Sequence, residues 1–176
     1  MPINNFSSIG GYAVAATEVL STERALKNIS AMHMTSDNFT DANKDTFLLK
    51  RVTDASNNTM QLSLDGTTPL ASNSIPLGQN SVAFVRAHVF GQETTSSQYV
   101  HASTFDVVIH TASGSPVVSA SHENILRNNP PGQESWSVTP DAFTIGSDPF
   151  FTFEVATVTT SSTVKWIGVL DITLVT

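Results

Sequence analysis

The chain has 176 residues, with 15 acidic and 8 basic side chains for a net charge of −7 and no cysteine, which rules out disulfides, thiolate metal sites and a cysteine nucleophile at once. Charged residues make up only 13% against about 25% in an average soluble domain, and a quarter of the chain is Ser or Thr, so the surface is polar but weakly charged. No basic block is present, which argues against nucleic acid as a partner, and no run reaches the roughly 18 apolar residues of a membrane span, so no membrane partner is expected.

Residues Met1 to Phe6 lack the basic and apolar regions of a secretory signal, and synthesis in a cytosol is expected. From Gly11 to Leu20, Tyr12, Val14, Ala16 and Leu20 alternate as in a strand, after a Gly10-Gly11 break. Two readings compete for the next stretch. Ala25, Leu26, Ile29, Met32 and His33 recur at helical spacing behind a Ser21 or Thr22 cap, while Asn28, Ser30 and Thr35 are poor helix formers and favour a strand through Leu26–Met34. Asp37 to Asp45 carries turn chemistry, and Thr46 to Val52 reads as a compact strand. Residues 1–57 are less regular than the rest of the chain and are expected to form an N-terminal arm or extension, either free or packed on the main domain, with room for one short helix.

The main domain is expected over 58–176. Met60, Leu62 and Leu64 alternate and are closed by the turn pair Asp65-Gly66. Ser81 to Phe90 has apolar residues on both faces, Phe84, His88 and Phe90 opposite Val85, Ala87 and Val89, as in a strand covered on both sides. Strands are further expected over Thr104–Thr111, Pro116–Ala120, Ser135–Val138, Phe150–Val158 and Val164–Val175, with an irregular loop over His122–Gly132 that contains Pro130-Pro131. Short strands at this spacing, with no βαβ alternation, predict an all-β fold, an antiparallel β-sandwich of jelly-roll type.

No residue cluster has the spacing of an active site. Ser103, Asp106 and His110 invite a relay, but strand residues four apart lie about 13 Å from each other at about 3.3 Å per residue, and no Gly-x-Ser-x-Gly elbow occurs. Asp106, Glu134, Asp141, Asp148, Glu154 and Asp171 are raw material for a glycosidase carboxylate pair, without the aromatic groove such enzymes need. His33, His88, His101, His110 and His122 lack metal-ligand spacing. Catalytic residues, metal ligands and cofactor-binding residues are therefore all expected to be none, and the protein is not expected to be an enzyme. Trp136 and Trp166 sit in apolar alternations and are expected in the core. Phe150, Phe151 and Phe153 are expected to serve the core on one face and a subunit interface on the other, and Arg86 in its apolar strand needs a carboxylate partner.

Taken in order, Leu62 to Pro69, Asn73 to Leu77, the Val82–Gly91 strand, Phe105 to Ile109, Trp136 to Val138 and Phe153 through Lys165-Trp166-Ile167 to Val175 resemble a β-sandwich module of tailed-bacteriophage virion proteins. The resemblance covers about residues 58–176. It departs at Thr157 to Thr160, where the family commonly has a glycine, and at the Asn-Pro-Pro-Gly stretch after His122. It implies a structural protein of the virion that forms homotrimers, with a capsid decoration or cement role bound to the major capsid protein or another virion protein. The alternative it implies is a tail fibre or receptor-binding tip, with loops Gly91–His101 and His122–Gly132 turned to the host surface.

Overall fold

A computed structural model describes residues 12–14, 17–20, 31–36, 39–95, 98–112, 115–130, 136–157 and 163–176, with side chains described from 31–33 and from 43 onward. The chain separates into two compact units, Met1–Ser30 and Ala31–Thr176. In the first, β1 (Tyr12–Val14) and β2 (Thr17–Leu20) form an antiparallel hairpin.

The second unit is all-β and antiparallel. Its larger sheet has six strands in the order β3 (Ala31–Ser36), β4 (Phe39–Thr53), β12 (Val164–Val175), β7 (Val82–Glu93), β8 (Val100–Ala112) and β9 (Ser115–Asn129). The smaller sheet runs β10 (Ser137–Ile145), β11 (Asp148–Ala156) and β5 (Thr59–Gln61), with the short β6 (Ile75–Pro76) also on β11. Apolar faces of the two sheets meet in one core. Leu49, Val85, Ala87, Val89, Val107, Ile109, Leu170 and Ile172 come from the larger sheet, Phe151, Phe153 and Val155 from the smaller. Period-two patterning places these residues. β7 and β12 alternate buried and exposed along almost their full length, so each strand gives one side to the core. Gly66 and Gly146 take φ of +83° and +66°, a region open to glycine at little cost, and they turn the chain after Asp65 and between β10 and β11.

Several expectations change. The two compact units divide between Ser30 and Ala31, and the later part of the expected arm packs on the main sheet: β4 lies between β3 and β12 and buries Phe47, Leu49, Arg51 and Thr53. The polar residues after Phe39, read as a turn, belong to that same 15-residue strand. Of the helix considered near residues 21–33, the part from Ala31 is strand, and 21–30 lies outside the described residues. His122 to Asn129 is not a loop but the second half of β9, because its backbone pairs with β8 as far as Val100; Pro130 ends the strand. β7 is covered on one face only. Phe150 is buried beside Phe143, ring centroids 5.9 Å apart, so the Phe150–Phe153 run leaves no aromatic for an interface.

Candidate functional site: the open face of the six-stranded sheet

The outward side of an antiparallel sheet is usually polar. Here it is not. Val52, Val82, Phe84, Phe90, Ile167, Val169 and Val175 are each 41–52% exposed, and the register joins them, Ile167 opposite Phe90 and Val175 opposite Val82. The seven lie on three strands, β4, β12 and β7; three strands at about 4.8 Å and eight residue steps at about 3.3 Å span on the order of 400 Å², in which apolar and polar side chains are interspersed.

One polar row crosses this patch. Asp171, Arg86, Asp106 and His122 stand side by side on β12, β7, β8 and β9. Arg86 Nε donates to Asp106 at 3.1 Å, the carboxylate its strand position calls for, and its guanidinium lies 5.9 Å from the Phe84 ring. Asp171 accepts from the Thr46 hydroxyl at 2.6 Å and faces Lys44 at 3.4 Å; the Thr46 bond first, then Lys44 and Arg86, hold its carboxyl below the usual range. Asp171, Arg86 and Asp106 alternate in sign, so an identical row offset by one strand would set opposite charges against each other.

β9 lies beyond β8 at the edge of the sheet. It is hydrogen-bonded to β8 on one side and exposed along 121–129, with Ile125 and Leu126 51% and 63% exposed. Register shifts at Ala102/Ser103 and Val108/Ile109 mark bulges, which blunt edge-to-edge pairing.

The residues considered for chemistry scatter. His110 stands opposite Val82 and Val117, away from Asp106, and is exposed. Ser103 instead meets His101, Oγ and Nε2 lying 3.1 Å apart, with Glu123 Oε1 3.9 Å from the same nitrogen. His101 and Ser103 are buried. Burial pushes the imidazole down and outweighs the Asn128 side chain; burial also pushes the Glu123 carboxyl up against a Ser103 bond that lowers it. Serine and carboxylate share one nitrogen here, and a relay needs them on opposite nitrogens, so the trio packs β9 onto β8 and does not activate a nucleophile. Of the remaining carboxylates, Asp141 binds the Gln61 amide and Glu134 lies outside the described residues. His33 pairs with Asp45, and His88 is exposed on the outward side of β7. Among the described residues no group of three or more His, Asp or Glu could hold a metal.

No family model matches the chain, and no curated protein matches it. Solved structures similar to it include two phage tailspike proteins. One is the tailspike protein gp49 from Acinetobacter baumannii bacteriophage Fri1, a capsular polysaccharide depolymerase, with 13% identity and a TM-score of 0.41 over 80% of this chain and 19% of that one. The other is the tailspike protein of Acinetobacter baumannii phage AM24, with 9% identity and a TM-score of 0.34 over 75% of this chain and 26% of that one. The chain spans about a fifth and a quarter of those proteins' lengths. Neither the fold nor these similarities support capsid decoration.

Proposed function

We propose that this chain is a structural module of a tailed-bacteriophage virion, placed in the tail as a fibre or receptor-binding tip, where three identical copies associate through the open face of the six-stranded sheet. The observation that carries the reading is the set of half-exposed apolar side chains around Phe90 and Ile167 on the outward side of the sheet, which a solitary molecule would leave in water. The ordered sequence pattern from Leu62 to Val175 supplies the virion context. At one end of the sheet the last residue of β9 meets the segment between β7 and β8, where Asn129 Nδ2 donates to the Gln98 carbonyl at 2.8 Å, and in the tip reading this end would face the host. The role is non-enzymatic, and the partners are the chain itself and another virion protein.

Two measurements test it. A native mass measurement is expected to give three copies, and densitometry of purified particles is expected to find tens of copies each. A monomer at all concentrations overturns the association. Hundreds of copies per particle return the capsid reading, and absence from particles removes the virion reading altogether.

A further inference from the structure

The core side of the larger sheet is left open beside β3, where Ala31 and His33 are exposed. Asn43, Asp45 and Phe47 follow one another along that side of β4; Leu174 stands opposite Asn43, and Ala31 and His33 stand opposite Phe47 and Asp45, so all six share one face. It is the reverse of the face proposed for association. With Leu77 and Gly78 as the far wall, these residues line a hollow of about 400 Å³. The wall is held in place, since the Leu77 amide donates to the Pro149 carbonyl at 2.9 Å. The floor is apolar: Phe47 and Leu77 are buried, and Leu174 packs against the core.

The polar rim has one chemical character. Asp45 accepts from His33 Nδ1 and from Asn43 Nδ2, the latter at 3.3 Å. A carboxylate only accepts, so the neutral imidazole donates from Nδ1 and keeps Nε2 as an acceptor, and the Asn43 amide, its nitrogen turned to Asp45, leaves its carbonyl oxygen. The rim thus offers acceptors from three residues. The Asp45 side chain is 16% exposed, and among the described residues no lysine or arginine lies within 4 Å of it. A carboxylate this sheltered from water is stabilised by a cation.

We propose that this hollow binds a short aliphatic primary ammonium, the chemistry shared by a lysine side chain and a free alkylamine, with its head on Asp45, His33 and Asn43 and its stem along Phe47, Leu77 and Leu174. An ammonium has three donors and no acceptor, which matches this rim. A carboxylate or phosphate would meet acceptors with acceptors, and a quaternary amine has no donor to give.

The test is an amide-shift titration of the full chain at about pH 7.5, where the amine is protonated, and at constant ionic strength, with n-pentylamine, n-pentanol, pentyltrimethylammonium and Nα-acetyl-lysine methylamide. Pentylamine is expected to saturate with a dissociation constant of about 3 mM, moving amides near His33, Asp45 and Gly78. Pentanol and pentyltrimethylammonium are expected at least about fivefold weaker, since one lacks the charge and the other the donors. The acetylated lysine separates the two sources: binding equal to pentylamine supports a lysine side chain presented by a partner, and weaker binding supports a free amine. Asp45→Asn is expected to weaken pentylamine about tenfold and to leave pentanol unchanged. Because that change also loosens His33, a second variant works in the opposite direction: Asn43→Asp adds a carboxylate to the rim and is expected to tighten pentylamine about threefold. Non-saturating shifts, equal binding of pentanol or pentyltrimethylammonium, an Asp45→Asn chain that binds as before, or an Asn43→Asp chain no tighter than the parent would overturn the proposal.

Discussion

The Trp166 indole fills the space that a side chain at Gly91 would need: a Cβ there would come within 2.5 Å of the ring. Its Nε1 donates to Thr53 Oγ1 at 3.0 Å, and the ring packs against Trp136 and His101 with centroids 5.8 Å away. Trp166→Ala is therefore expected to lower stability by about 3–5 kcal/mol through the cavity it leaves, and Gly91→Ala by about 1–3 kcal/mol through overpacking; denaturant melts check both. Asp65 is the second residue whose role is local. Its bonds from Thr67 and Ser63 and from Asn73 lower the carboxyl to about 2. A lowered folded-state value means that the stabilisation is present above the unfolded value of about 3.9 and is lost as pH falls toward about 2. Asp65→Ala should accordingly reduce the melting temperature at pH 7, and the gap from the parent chain should close between about pH 4 and 2. No gap at pH 7 would mean the turn is held without the Asp65 carboxylate.

At the scale of elements, β9 and the β7–β12 pair behave differently. β9 is fastened through Glu123, whose carboxyl burial raises; for an acid, stability then falls as pH rises through the folded-state value. Glu123→Gln is expected to raise the melting temperature at pH 7 and to leave it unchanged at pH 4, as thermal melts at the two pH values would show. On the open face, Phe90→Ser with Ile167→Ser should leave the melt of the single chain nearly unchanged, since both side chains are already about half exposed, while sedimentation shows loss of association. Alternation along β7 and β12 is readable in the chain. Whether the second apolar side of β7 meets protein or water is not, because Phe84 and Phe90 look the same beside a second sheet and beside a second molecule.

At the scale of the whole molecule, the domain boundary is the sharpest test. A chain beginning at Ala31 is expected to retain one cooperative melt, and one beginning at residue 58 is expected to fail, because it lacks β4 and strips the twelve-residue ladder from β12; circular dichroism of the two fragments decides. The amino-acid order by itself determined the all-β class, the burial of Trp136 and Trp166 and the turn at Asp65-Gly66, since these arise from local rules of alternation, ring size and glycine's freedom at positive φ. Only the tertiary structure decided that β4 belongs to the sheet, that His122 to Asn129 is strand, that Ser103 turns to His101, and that His33, Asp45, Leu77 and Leu174 share a hollow. Each of these depends on which distant segments become neighbours, β4 with β12 across more than a hundred residues, and that pairing is set by the packing of the completed core, which no short window of sequence contains.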